Sequence, residues 1–146
     1  MICYFDTSAF VPLLVDEPGS ATAIRIWDAA DRVVSSRLLH VEAAAALAQA
    51  NRLGKLSGSA HQAALLRLND IYAEFDLLPI TDGLVSRAAT LARQLALRAF
   101  DAMHCAAAQL LASDDLVVAS GDRKLLAACR TLGLATANTG LKVGSR

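Results

Sequence analysis

The chain has 146 residues, 55% of them hydrophobic, and sets 14 basic residues against 14 acidic ones. That length predicts one domain burying about 70% of its unfolded surface, so folding needs neither a metal nor a disulfide. The balanced charge points to no polyanion partner, the apolar runs fall short of the ~20 residues of a membrane span, and no basic segment precedes the first apolar stretch as in a signal peptide; the chain reads as cytoplasmic. Cys3, Cys105 and Cys129 form no C-x-x-C pair and read as small buried hydrophobes, not as a disulfide or zinc set.

Ile2 to Phe5 is a short apolar run that predicts the first strand. Ser8 is placed to cap a helix through about Val15, which Glu17-Pro18-Gly19 closes. Ser20 opens a second helix through Ala30, and Arg32 to Ser35 reads as the second strand. Leu39, Ala43, Ala46, Leu47 and Ala50 recur at helical spacing, predicting a helix from Ser36 or Arg37 to Leu53 that Gly54 stops. Another helix runs from Ser57 or Ser59 to about Phe75, and Asp76 to Ile80 forms the third strand. Thr81 caps a helix bearing Leu84, Ala88, Leu91 and Leu95, and a separate one spans about Phe100 to Leu111. Leu116 to Ala119 is the fourth strand, Asp122 to about Thr131 a helix closed by Gly133, and Leu134 to Ala137 a fifth strand. Val143 to Arg146 reads as a loose tail. Apolar strands separated by helices predict a parallel sheet of about five strands, covered on both faces. Sites in such sheets lie beyond the carboxyl ends of the strands, where the chain order reverses.

Asp6 follows the first strand directly and Asp122 lies just past the fourth, so both fall at the carboxyl edge of the sheet. Glu42 is the only charge in a long apolar helical segment, and Asp101 the only acid at the start of a helix of small and apolar residues. Each has a plain alternative: Asp122 as a helix N-cap, Asp101 as a complement to the helix dipole, Glu42 as a solvated residue. Asp6 resists such an explanation, because a carboxylate beside a buried strand costs free energy unless it is paired. Carboxylates about 5 Å apart repel by roughly 3 kcal/mol per pair at an effective dielectric of 20. A cluster of them therefore holds protons or binds a cation. Oxygen donors without clustered His or Cys suit Mg²⁺ or Mn²⁺. Such an ion leaves positions for a phosphate oxygen and an attacking water, the chemistry of phosphodiester hydrolysis. Committing the four acids to one site leaves ten acids against fourteen bases elsewhere, a hint of a polyanion partner.

The stretches YFDTSAFVPLLVDEPGS, SRLLHVEAAAALAQANRLGKL, LRAFDAMHCAAA and VVASGDRKLL resemble, in order and spacing, the four motif regions of PIN-domain ribonucleases. They look most like the VapC toxins of bacterial toxin–antitoxin pairs, and the resemblance covers nearly the whole chain. It implies a single PIN domain over residues 1–146, a three-layer α/β/α fold, and a divalent-metal (Mg²⁺ or Mn²⁺) endoribonuclease acting on RNA. It also implies a homodimer and a cognate VapB-type antitoxin. Asp6, Glu42, Asp101 and Asp122 map onto the family's metal-binding, catalytic acids. Thr7 and Ser8 match the small polar residues after the first acid, and Ser120 the hydroxyl before the last. Pro12 departs from the pattern, standing where many relatives carry Lys.

Arg98, Arg123 and Lys124 flank the third and fourth acid motifs and read as phosphate contacts. Ser8 and Ser120 are placed to bond an acid or a substrate phosphate, with a helix cap as the alternative for Ser8. His104, one turn after Asp101, invites a general-base role, but its apolar segment predicts a satisfied core histidine; His40 and His61 receive no role. Aromatics are 5% of the chain, too few for a base-stacking platform. A haloacid dehalogenase-type phosphotransferase would need an aspartate at position 8, where Ser stands. A receiver-like signalling domain would need one after the third strand, where Pro79-Ile80-Thr81 stand. The remaining alternatives are a housekeeping PIN nuclease and an inert PIN-like binding domain, and the intact acids argue against the second.

Overall fold

Five short strands alternate with helices in the computed structural model, which describes residues 1–140. The strands are β1 (Ile2–Phe5), β2 (Arg32–Ser36), β3 (Asp76–Leu78), β4 (Leu116–Ser120) and β5 (Ala135–Asn138). The helices are α1 (Thr7–Leu14), α2 (Ser20–Ala29), α3 (Leu38–Arg52), α4 (Gly58–Tyr72), α5 (Asp82–Leu95), α6 (Ala99–Leu110) and α7 (Arg123–Thr131). The tail expected over Val143 to Arg146 lies outside the described residues.

Every strand pair is parallel, in the order β3-β2-β1-β4-β5. The chain order therefore reverses between β1 and β4, the place where such sheets carry their sites. Phe5 stands opposite Ala119, so Asp6 and Ser120 come next along the same carboxyl edge.

Successive strand residues point to opposite faces, and the core divides accordingly. Tyr4, Val34 and Val118 pack with Leu84, Leu91, Ala106 and Leu125 from α5, α6 and α7. Cys3, Phe5 and Ala119 pack on the other face with Phe10, Leu39, Leu47 and Leu68 from α1, α3 and α4. The result is a three-layer α/β/α domain. Phe5, Phe10, Trp27 and Phe75 meet edge to face at centroid distances of 5.3–5.9 Å, each pair adding about 0.5–1.5 kcal/mol beyond simple burial. Phe5, Phe10 and Phe75 are buried in the core, and Trp27 packs against them from its edge. All three cysteines are buried, and burial pushes the Cys3 thiol up to about 12.

Several boundaries differ from the sequence reading for identifiable reasons. β3 stops at Leu78 and not Ile80, because Pro79 has no N–H to give to a ladder. β5 starts at Ala135 and not Leu134; the Leu134 N–H closes the end of α7 by donating to Cys129 O at 2.9 Å. Ser57 and Thr81 cap α4 and α5, their hydroxyls accepting the N–H of Ala60 and of Leu84, both at 3.1 Å. α5 ends on Ala96 in the left-handed region, φ 53°, and Lys124 Nζ donates to the Ala96 carbonyl at 3.2 Å. Among the described residues, no helix is long and apolar enough to cross a membrane.

Candidate active site

The first residue beyond β1 is held from three directions. Asp6 is the N-cap of α1, its Oδ1 accepting the Ala9 N–H at 3.0 Å. Ser8 donates to Oδ1 at 2.8 Å, and Ser120 donates to Oδ2 at 2.7 Å. The serines in turn accept from the chain beyond β4: Ser8 Oγ from Gly121 N–H at 2.7 Å, Ser120 Oγ from Asp122 N–H at 3.0 Å. A side chain at Gly121 would stand 3.3 Å from Thr139 Oγ1 and 3.6 Å from Ser8 Oγ, so glycine lets these segments close. The cap expected of Ser8 is thus supplied by Asp6 two positions earlier, and Ser8 lies inside the helix bonding the acid. Asp6 is 4% exposed. Burial pushes its carboxyl above the ordinary range, against the pull of His104, the two hydroxyls and the Ala9 N–H.

Glu42, on α3, does not face solvent freely: its Oε1 lies 2.6 Å from Nε2 of His104, on α6. Asp101 occupies the first turn of α6. Burial raises its carboxyl above the ordinary range, Asp122 raises it further, and Arg98, with Nε 3.5 Å from Oδ2, pulls it down. Asp122 is the N-cap of α7, Oδ1 accepting from Lys124 N–H at 2.9 Å and Leu125 N–H at 3.3 Å. His104 bonds Glu42 and acts on the charges of both Asp6 and Asp101. The fold therefore sets Glu42, Asp6 and Asp101 around one histidine, and Asp122 close enough to Asp101 to act on its charge.

A sequence model of the PIN domain family matches residues 3–139. This chain is a PIN domain. Ribonuclease VapC45 and Ribonuclease VapC49, both of Mycobacterium tuberculosis, are each 42% identical to it over 124 residues, covering 85% of this chain and 86% of the relative. Among solved structures, a toxin–antitoxin complex from Klebsiella pneumoniae holds a chain of the same fold: TM-score 0.65, 18% identity, 94% of this chain and 97% of that chain.

Each acid of the PIN domain keeps an oxygen acceptor open. Among the described residues, Glu42 Oε2, Asp101 Oδ1 and Asp122 Oδ2 have no hydrogen-bond partner. Asp6 receives three protons, from Ser8, Ser120 and Ala9, on roughly four carboxylate acceptor positions. The donor chemistry fits a hard divalent ion. No group of three or more His, Cys, Asp or Glu side chains stands ready-made around a metal position among the described residues.

The basic residues divide. Lys124 is tied to the Ala96 carbonyl, Arg98 is exposed beside Asp101, and exposed Arg123 makes no ion pair among the described residues. His104 is the satisfied core histidine that its segment predicts, 2% exposed, but what satisfies it is a site acid. Tyr4, whose hydroxyl lies 2.7 Å from His104 Nδ1, escapes the sequence reading altogether. One signal points to it: it lies two residues before Asp6, on the same side of β1.

Proposed function

We propose that this PIN domain is a metal-dependent endoribonuclease, the toxin of a VapBC-type toxin–antitoxin pair, cutting RNA phosphodiesters at Asp6, Glu42, Asp101 and Asp122. The observation that carries the reading is electrostatic. Asp6 and Asp101 are acids raised by burial at the switch point of the sheet, and Asp122 raises Asp101 again. Folding buries these carboxylates at a cost, which a bound cation offsets. The 42% identity to two proteins named ribonucleases supports the reaction class.

In this reading Asp6, Asp101 and Glu42 hold Mg²⁺ or Mn²⁺, and Asp122 binds it directly or through water. The ion supplies activation of a water nucleophile and neutralises charge on the phosphodiester. The chain's own part is to fix the donors. Ser8, Ser120 and the Ala9 N–H orient Asp6, His104 orients Glu42, and the backbone of α7 orients Asp122. Arg98, Arg123 and Lys124 draw the RNA backbone to this edge by charge, which brings no base preference with it. The chain acts in the cytoplasm as a homodimer, and a VapB-type antitoxin neutralises it; the shared fold with a chain of a toxin–antitoxin complex supports that partner.

The test is RNA cleavage by purified protein, with and without a chelator. Asp6→Asn or Asp101→Asn abolishes Mg²⁺- or Mn²⁺-dependent cutting while the circular dichroism spectrum stays native. Full activity in either variant, cleared of contaminating nucleases, would overturn the assignment. In cells, expression arrests growth, and the product of an adjacent small gene relieves the arrest.

A further inference from the structure

The ring of His104 has both nitrogens engaged, and by groups of different chemistry. Nε2 lies 2.6 Å from Glu42 Oε1, and Nδ1 lies 2.7 Å from the Tyr4 hydroxyl. The two rings meet edge-on, centroids 5.8 Å apart at 75°. An ionised carboxylate can only accept a hydrogen bond, so the proton facing Glu42 sits on Nε2. The neutral ring then presents Nδ1 as an acceptor, and Tyr4 donates to it. We propose that His104 is a positioning residue for Glu42, held in its Nε2–H form by the Tyr4 hydroxyl.

The geometry explains why such a device is present. Glu42 reaches the site from α3, where the residues that follow it, Ala43 to Ala46, are small and apolar, and its terminal torsion has a broad range that rotamer packing alone does not fix. One hydrogen bond from a buried ring on α6 removes that freedom and leaves Oε2 as the unengaged oxygen among the described residues. Tyr4 is itself immobile, wholly buried in β1, so the line of bonds runs from the central strand through α6 to α3. Outer partners of this kind typically change metal affinity or activity by about 10–100-fold when removed.

The inference rests on the metal reading of the acid site, and the two are separable by experiment. Mn²⁺ binding to the full chain is measured by the electron paramagnetic resonance of the free ion. Asp101→Asn weakens binding, His104→Leu weakens it by about 10–100-fold, and His104→Gln, which returns an N–H donor, restores most of the loss. Tyr4→Phe keeps the aromatic packing and weakens binding less than His104→Leu does. Unchanged binding in His104→Leu and Tyr4→Phe beside a weakened Asp101→Asn would overturn the positioning role alone, as would a Gln variant no better than Leu. A wild type that binds no Mn²⁺, or unchanged binding in Asp101→Asn, would overturn the metal reading and the positioning role with it. Should His104→Leu fail to fold, the Gln and Tyr4→Phe variants decide. The ¹⁵N spectrum of the His104 ring in metal-free protein gives an independent check: it shows a protonated Nε2 and a bare Nδ1, and the opposite tautomer would overturn the arrangement.

Discussion

Burial holds the Asp6 carboxyl above its ordinary value of 3.8, and this sets the sign of its contribution to stability. Between about 3.8 and the raised value, the folded chain keeps a proton that the unfolded chain has shed. Stability from this group therefore falls as pH rises through that window and is level above it. Asp6→Asn removes the titration. In chelator at pH 7 the variant melts higher than the wild type, and at pH 3 the difference shrinks; an unchanged or lower melting temperature at pH 7 counts against the burial term. Asp122 allows a cleaner separation of duties. Asp122→Asn keeps a cap and changes stability by less than about 0.5 kcal/mol, whereas Asp122→Ala costs about 1 kcal/mol in urea denaturation; RNA cleavage falls in both. The strand-ending Asp6 with its following hydroxyls is legible in sequence because its partners Ser8 and Ala9 are local. The bond between Tyr4 and His104 is not, because it spans 100 positions and exists only once the sheet has brought α6 beneath β1.

At the scale of elements, the periodicity of apolar residues is enough to find every helix and strand, and the turn chemistry of Ser57 and Thr81 is enough to start two of them. The departures come where a backbone group has a choice of partner. Asp6 outcompetes Ser8 for the cap of α1 because it reaches the Ala9 N–H from the end of the strand, and Leu134 is claimed by α7 before β5 can use it. The end of α5 is the least comfortable of these joints. Ala96 takes a left-handed conformation that costs a residue with a Cβ roughly 1–2 kcal/mol, and the Lys124 ammonium bonds its carbonyl. Ala96→Gly relieves the strain, and after the added entropy of the unfolded chain it stabilises by about 0.5–1 kcal/mol, read as a shifted urea midpoint with unchanged slope. Lys124→Met in the same background tests whether the ammonium contributes to this joint or only to RNA binding.

Across the whole molecule, one close backbone approach ties the helical layer to the sheet. Gly19, between α1 and α2, has an ordinary backbone conformation, but a Cβ there would stand 2.6 Å from the Thr139 carbonyl oxygen. Glycine is present for space, and Gly19→Ala forces the end of β5 away from the helical layer at about 1–3 kcal/mol; a calorimetric melting temperature within error of wild type would contradict this. No pattern near Gly19 announces the constraint, since the oxygen comes from 120 residues further along the chain. The strand order has a consequence in time. β1 gains β2 as a neighbour early in synthesis, but β4 only much later, and the bond from Ser120 to Asp6 joins positions 114 apart. A chain halted before Leu116 has Asp6 without Ser120 and Asp101 without Asp122. Growing from its N-terminus on the ribosome, the chain carries Asp6 without its Ser120 partner until β4 has been made.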